Sequence, residues 1–239
     1  MDTDPWAEVW TSITSTQPAL EPTWVLGAAV VALALVALPA LWSRSRHLVT
    51  IAHEGAHGVA ALATGRRLAG IRLHSDTSGL TLSRGRPTGP GMVLTAAAGY
   101  PGPALVGLAA AWGTAAGRPV AVLWTVLLLL ALLLLQIRNF FGLWAVLVAG
   151  AGVFAVSWWG SGELQSFVAH AGAMFLLLAA PRTVLELARS RRAGRGRTSD
   201  ADVLARLTPL PALAWVGVFA LVSLGALLLG ASALLAGSR

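Results

Sequence analysis

Long apolar runs separated by short polar segments dominate the chain. Runs of about 18 residues or more are long enough to cross the hydrocarbon core of a bilayer as an α-helix. The pattern therefore predicts an all-α polytopic membrane protein with six or seven transmembrane helices. The predicted segments are 23–42, 48–64, 91–113, 119–137, 140–158, 164–181 and 209–235.

The polar segment between the second and third runs follows a different pattern. Residues 70–84 alternate apolar and polar positions on both sides of a turn-like stretch at 76–79. Alternation with a period of two is typical of strands, and Asp, Ser and Gly favour tight turns. We therefore expect a small β-hairpin here. The rest is expected to form one membrane-embedded domain over residues 1–239, with an N-terminal segment at 1–22 and a basic loop at 187–203.

The composition agrees with a membrane protein and narrows the chemistry. The chain is 56% hydrophobic and 11% charged, which excludes an ordinary soluble domain. It contains no cysteine, so disulfide partners and thiolate metal ligands are excluded, and a transition metal needs imidazole and carboxylate ligands. All 17 basic residues behind the net charge of +7 are arginine, and most flank apolar runs, as cytoplasmic loops do. We therefore expect a multi-pass protein of the cell membrane. Its partner is expected to be the lipid bilayer, and binding to nucleic acid is not expected.

The arginines also predict an orientation. Residues 1–22 contain no arginine and are expected outside, whereas the arginine flank after the first run and the region 182–197 are expected in the cytoplasm. Five apolar segments lie between these two cytoplasmic regions, and an odd number of crossings cannot return the chain to the same side. Either segment 48–64 enters and leaves on the cytoplasmic side, or it crosses and a later segment is broken near Arg138. A reporter fused at residue 80 distinguishes the two, because an external position excludes the first.

Within segment 48–64 lies an HExxH motif formed by His53, Glu54 and His57. Helix positions four residues apart share a face, so both imidazoles can bind one Zn²⁺ while Glu54 faces the same cleft. Zn²⁺ would polarise a scissile carbonyl and lower the pKa of a bound water toward ~7. Glu54 would take the proton of that water and deliver it to the leaving amine. Polar groups within an apolar segment are costly, which favours this function over a polar helix contact or an interfacial helix start.

This motif and several weaker ones resemble the site-2 protease-like intramembrane zinc metallopeptidases, in particular a bacterial branch of small membrane proteins without a PDZ domain. The resemblance implies cleavage of a substrate's transmembrane segment within the bilayer, with zinc as the cofactor and a membrane protein as the partner. The motifs extend over most of the chain. They are the HExxH motif with Gly58, the hairpin run Ser78 to Thr81, the segment 98–104, the run Arg138 to Gly142 and the run Ser199 to Asp202.

The resemblance leaves the third zinc ligand unassigned. Site-2 proteases supply it from an aspartate in a Leu-Asp-Gly motif on a later transmembrane helix, and this chain has no aspartate between Asp76 and Asp200. Catalytic zinc usually has three protein ligands and a water. By elimination, the candidates are His74, Asp76, Glu163, His170, Glu186, Asp200 and Asp202.

Asp200 is our candidate among these seven residues. The arginine pattern places it on the cytoplasmic side, and His53 lies about a turn and a half into a helix that starts from that side. The two side chains could therefore meet at one depth. The alternative is that Ser199 or Asp200 caps a short helix. Asp76 is expected to form a turn and His170 an interhelical hydrogen bond.

Two further features have both a functional and a structural interpretation. Asn139 resembles the asparagine that family members place near the substrate, and it could equally cap a helix that starts after Arg138. Segment 98–104 contains two prolines and two glycines within a predicted span. It indicates a discontinuous helix that opens beside the active site, or a plain packing kink.

The sequence therefore predicts a zinc-dependent intramembrane endopeptidase with Glu54 as general base and acid. The alternative is a non-catalytic membrane protein that retains the metallopeptidase fold for a structural or binding role, which a missing third ligand would favour. A transporter or channel is disfavoured because the polar groups within the spans are too few to line a continuous path.

Overall fold

The computed structural model describes residues 5–194 and 198–237, which form ten α-helices and one two-stranded β-sheet. Positions 195–197 of the basic segment lie outside the described residues. All seven apolar segments predicted from the sequence are helical. In chain order the elements are α1 (Pro5–Thr14), α2 (Pro22–Ala37), α3 (Pro39–Ala63), β1 (Arg67–Leu73), β2 (Gly79–Arg84), α4 (Pro90–Ala97), α5 (Pro101–Ala115), α6 (Pro119–Leu134), α7 (Phe140–Trp159), α8 (Gly162–Arg192), α9 (Asp200–Leu207) and α10 (Ala212–Gly237).

The number of helices that could span a membrane is lower than the sequence predicted. Among the residues that the structure describes, helices α7, α8 and α10 are each long and apolar enough, and the count rises to five if the bent pairs α2/α3 and α4/α5 each form one span. Helix α6 is apolar but has 16 residues, about 24 Å of helix against a hydrocarbon core of about 30 Å. The helical membrane class with a small hairpin is confirmed, and the count of six or seven spans is not.

Prolines mark both bends between paired helices. Leu38 precedes Pro39, and conflict with the proline ring moves Leu38 out of the helical region to φ −80° and ψ 122°. The axis turns by 97° between α2 and α3, so these two helices cannot both run along the bilayer normal. The second bend, 68° between α4 and α5, lies just before Pro101 and within the segment for which a kink was expected.

Helices α5, α8 and α10 form the centre of the bundle through small side chains. Gly230 of α10 packs on Leu177 of α8 so closely that an added Cβ would lie 2.5 Å from Leu177 Cδ1. Such contacts let helix backbones approach each other, which is how membrane helices associate without a hydrophobic driving force. Buried alanines of α5, α8 and α10 pack together at this centre, and they are Ala104, Ala111, Ala173, Ala180 and Ala226.

The hairpin forms as predicted, with β1 and β2 antiparallel and Ile71 opposite Thr81. Asp76 makes the turn, because its Oδ1 accepts the Ser78 N–H at 3.0 Å. The hydrogen bonds from Ser78 also lower the pKa of the Asp76 carboxyl. A third segment extends the sheet beyond β1: the Ile71 N–H donates to Gln136 O at 2.8 Å, and Ile71 O accepts the Arg138 N–H at 2.9 Å.

The basic segment 187–203 contains less loop than the sequence suggested, because α8 continues to Arg192 and α9 begins at Asp200. Arg191 Nη1 donates to Asp202 Oδ2 at 2.7 Å, and the Ser199 N–H donates to the same oxygen at 3.1 Å. Burial opposes ionisation of Asp202, but the hydrogen bonds from Arg191 and Ser199 lower the pKa of its carboxyl. These contacts hold the end of α8 beside the start of α9.

Candidate metal centre

Three side chains from two helices converge at one point. His53 and His57 project from the same face of α3, and Asp200 is the first residue of α9. Oδ2 of Asp200 lies 3.2 Å from Nε2 of His53 and 3.2 Å from Nε2 of His57. The two Nε2 atoms are themselves 3.2 Å apart. Among the described residues, this is the one group of three side chains that could hold a metal ion.

The bend between α4 and α5 orients His57. Nδ1 of His57 lies 2.7 Å from the main-chain oxygen of Thr95, near the end of α4. That carbonyl can only accept, so Nδ1 carries a proton, and in the neutral ring Nε2 is left with its lone pair directed at the other two groups. A carbonyl contact at the second ring nitrogen is the usual way in which a protein fixes the orientation of a metal-binding histidine.

The same bend packs directly against both imidazoles. A Cβ added at Gly99 would lie 2.4 Å from His57 Nε2 and 2.6 Å from His53 Nε2, so a larger residue fits here only if the imidazoles move. The neighbouring Tyr100 meets His53 edge-to-face at 5.0 Å and stacks on Phe219 of α10 at 5.1 Å. Segment 98–104 therefore forms one wall of the site.

Gly99→Ala is expected to lower zinc affinity about 10- to 100-fold, because the new methyl group must displace the imidazoles. The displaced atoms are the ends of side chains, so the fold itself should change little. Gly150→Ala is the matched control, since an added Cβ at Gly150 in α7 has nothing within 4 Å. Zinc titration of the metal-free proteins checks this, and equal affinity in the Gly99 variant and the parent would refute it.

Glu54 lies beside the three converging groups but is directed toward the hairpin. It is 5% exposed. Its Oε2 accepts the hydroxyl of Thr81 on β2 at 2.6 Å. Glu54 is not one of the three groups that could hold a metal ion, so its carboxylate is free for another role.

The three converging groups fit a zinc ion. Two imidazole nitrogens and one carboxylate oxygen form a ligand set that catalytic zinc sites use without cysteine. Ligands about 2.0–2.1 Å from a tetrahedral zinc lie about 3.3 Å from one another, close to the 3.2 Å separations seen here. Oδ2 of Asp200 is also buried, and it makes no regular hydrogen bond, although the Nε2 atoms of the two imidazoles lie close to it. A cation would satisfy it.

The other candidates for a third ligand lie outside the group of three converging side chains. His170, for example, lies with Nδ1 2.8 Å from the main-chain oxygen of Ser166 in its own helix, not in the interhelical bond that we expected. Glu186 accepts a hydrogen bond from Trp42 Nε1 at 2.8 Å and pairs with Arg46 at 3.3 Å. The remaining four are His74 and Asp76 in the hairpin turn, Glu163 in the first turn of α8, and Asp202 near the start of α9.

Asn139 lies against strand β1. Its Nδ2 donates to Leu73 O at 2.7 Å, and its Oδ1 accepts the Leu73 N–H at 3.1 Å. The residue occupies the N-cap position of α7, but its side chain makes no capping hydrogen bond. It continues the pairing of the 136–138 segment with the sheet. A direct contact of Asn139 with substrate stays a prediction.

Sequence reasoning gave no role to Thr95 or Thr81. Thr95 contributes through its main-chain oxygen, and any residue type offers that group, so the sequence carries no signal for it. Thr81 belongs to a run that the family resemblance pointed to. Its place in the predicted hairpin carries no sign that the strand packs against the motif helix, which the structure shows.

A cavity of about 660 Å³ opens onto His53, Glu54, His57 and Asp200. Its wall contains polar as well as apolar residues. Hydroxyl groups from α3, β2, α4 and α8 contribute to it, including Thr50, Thr81, Thr95, Thr183 and Ser190. Its volume lies within the usual range of ligand sites, and its wall offers polar partners to a ligand.

A family model described as Peptidase M50B-like matches residues 26–230, which include α3, the hairpin and α9. The chain therefore belongs to the Peptidase M50B-like family, which is of the site-2 protease type. This confirms the resemblance drawn from the sequence motifs. Membership implies a membrane-bound, metal-dependent peptidase. No curated protein and no solved structure matches the chain.

Proposed function

We propose that the protein is a zinc-dependent intramembrane endopeptidase that hydrolyses a peptide bond in a membrane protein substrate. The observation that carries the proposal is the convergence of His53 Nε2, His57 Nε2 and Asp200 Oδ2 beside Glu54. Family membership alone implies a metallopeptidase without naming the ligands. The geometry supports a complete set of three ligands, which the sequence left open.

His53, His57 and Asp200 are the residues that would hold the metal. When bound, zinc supplies Lewis acidity that polarises the scissile carbonyl and makes a water molecule more acidic. The contact between His57 Nδ1 and Thr95 O keeps the imidazole ring in the orientation that presents Nε2. Tyr100 restricts His53 by its edge-to-face contact.

Glu54 acts as the general base and then as the general acid. Its carboxylate takes a proton as the water oxygen attacks the scissile carbonyl carbon. It then gives that proton to the amine nitrogen as the carbon–nitrogen bond breaks. A carboxylate that is 5% exposed lies away from bulk water, so the transferred proton stays within the site.

The proposed setting is the cell membrane, with the chain crossing it several times. The exposed apolar faces of α7 and α10 support contact with lipid. The polar cavity supports hydrolysis at a site that would otherwise exclude water. A transmembrane segment of the substrate would reach this cavity from the bilayer and present an extended peptide to it.

The alternative of a non-catalytic membrane protein rested on the absence of a third ligand. The proximity of Asp200 to both imidazoles removes that argument. The contacts of Glu54 also support catalysis, since a purely structural metal site has no need of a carboxylate beside the ligands. We therefore favour the peptidase.

Zinc removal tests the proposal. Purified protein in vesicles of phosphatidylcholine and phosphatidylglycerol is incubated with a panel of synthetic single-span peptides, and products are identified by mass spectrometry. We expect cleavage within the apolar span, its loss after chelation, and its recovery with Zn²⁺ but not with Mg²⁺, which prefers oxygen ligands. Cleavage that continues after chelation, or a zinc-loaded protein that cleaves no peptide, would contradict the proposal.

A further inference from the structure

Strand β2 lies directly against Glu54 through two residues of one face. Gly79 and Thr81 are two positions apart, so they point to the same side of the strand. A Cβ added at Gly79 would lie 2.5 Å from both Cγ and Oε1 of Glu54. At Thr81, Oγ1 lies 2.6 Å from Glu54 Oε2. The glycine makes room for the carboxylate and the threonine holds it.

Among the described residues, Thr81 gives the Glu54 carboxylate its one hydrogen bond. A threonine hydroxyl has a single proton, and its two acceptors here are Glu54 Oε2 at 2.6 Å and the main-chain oxygen of Glu54 at 3.0 Å. The shorter distance is typical of a hydroxyl that donates to an ionised carboxylate. Within residues 5–194 and 198–237, Thr81 is the only donor to this carboxylate, and no group donates to Oε1.

We propose that Thr81 is a positioning residue that sets the orientation of Glu54 for proton transfer. The inference rests on the proposed role of Glu54 as general base. The Thr81 hydroxyl binds Oε2 and fixes the plane of the carboxylate beside Gly79, while Oε1, which accepts no hydrogen bond from the described residues, can take the proton of the reacting water.

The proton then follows a fixed route. Oε1 receives it as the O–H bond of the water breaks and the carbon–oxygen bond forms. Oε1 releases it to the leaving nitrogen when the carbon–nitrogen bond breaks. Thr81 keeps its hydrogen bond to Oε2 throughout and exchanges no proton with the substrate.

Three substitutions test the proposal on the zinc-loaded protein with the peptide panel. Thr81→Val keeps the shape and the β-branched side chain but removes the hydroxyl. Thr81→Ser restores the hydroxyl. Thr125→Val is the control: it is the same threonine-to-valine change in α6, where the Thr125 hydroxyl donates to Ala121 O of its own helix.

We expect Thr81→Val to lower kcat about 10- to 100-fold, the loss expected for a hydrogen bond to a charged group. KM and zinc content should remain at parent values, because Thr81 touches neither zinc ligand nor, in this account, substrate. Thr81→Ser should recover most of kcat, and Thr125→Val should leave it unchanged. A Thr81→Val variant with the parent kcat, or a serine variant as slow as the valine variant, overturns the proposal.

A second measurement does not depend on hydrolysis. The infrared carboxylate band of Glu54 is obtained as the difference between the parent and Glu54→Gln, and the same difference is measured on the Thr81→Val and Thr81→Ser backgrounds. We expect the asymmetric stretch to shift in the valine background and to stay in place with serine. An unshifted band in the valine background overturns the proposal.

The two measurements separate this inference from the proposed function. If the parent cleaves peptides and Thr81→Val cleaves them equally well, the positioning role is wrong and the peptidase stands. If the parent cleaves none, the peptidase fails, and the positioning role fails with it even where the band shift shows that the contact exists.

Discussion

Glu54→Gln is expected to abolish peptide cleavage while leaving zinc bound. Glutamine has nearly the same shape, and its amide oxygen can still accept the Thr81 hydroxyl. It cannot accept the proton of a water molecule, however, and general acid–base catalysis typically contributes about 10²–10⁴-fold in rate. Zinc content should match that of the parent, because Glu54 is not one of the three converging groups. Mass spectrometry of peptide products and elemental analysis of the same preparation measure both quantities.

Glu163→Gln is the matched control for this prediction. Glu163 lies in the first turn of α8 and is solvent-exposed. The same chemical change there should leave the rate and the zinc content at parent values. A Glu54→Gln variant that cleaves at the parent rate would show that another group carries the proton, and the mechanism would be wrong.

Asp200→Asn is expected to lower zinc affinity by more than about 100-fold. Changes to residues that merely orient metal ligands typically cost about 10- to 100-fold in affinity, and Asp200 is one of only three proposed ligands. Asparagine keeps the size of the side chain, so α9 should still form. Cleavage should be lost at zinc concentrations that saturate the parent and should return in part with excess zinc. Titration of the metal-free protein, followed by the peptide assay, measures both effects.

Asp202→Asn separates a lost ligand from a loosened helix. Asp202 binds the Ser199 N–H and Arg191 at the start of α9, and such contacts at a helix start contribute about 1 kcal/mol. Its loss should weaken the attachment of α9 and affect zinc binding less than the loss of Asp200 does. Equal zinc affinity in the Asp200 variant and the parent would remove Asp200 from the ligand set.

Local patterns in the sequence were enough to predict the hairpin and the common face of the two histidines. The hairpin was predictable because strand alternation and turn formation by Asp76 depend on a few neighbouring residues. The common direction of His53 and His57 follows from helix geometry alone. Both features involve short stretches of chain, where residue type and spacing determine the outcome.

The number of spans could not be read from the same patterns. The break at Leu38 is foreseeable, because a proline follows, but no local rule gives the 97° by which the axis turns. That angle depends on how α2 and α3 pack against the rest of the bundle. Hydropathy counts the apolar residues of a segment and does not give the direction of its helix axis.

The third ligand is the feature for which packing mattered most. Elimination left seven candidates, and residue type could not separate Asp200 from Asp202 in the same run. The distinction comes from the start of α9, where Asp202 turns back to Ser199 while Asp200 meets the two imidazoles. The sequence could suggest this helix start but not the surface on which it docks.

The position of bound zinc tests the central claim most directly. Crystals of the zinc-loaded protein, measured at wavelengths on both sides of the zinc absorption edge, would locate the metal by anomalous scattering. We predict one peak about 2.0–2.2 Å from Nε2 of His53, Nε2 of His57 and a carboxylate oxygen of Asp200. A zinc peak elsewhere, or a zinc bound by the two histidines with Asp200 turned away, would contradict the account.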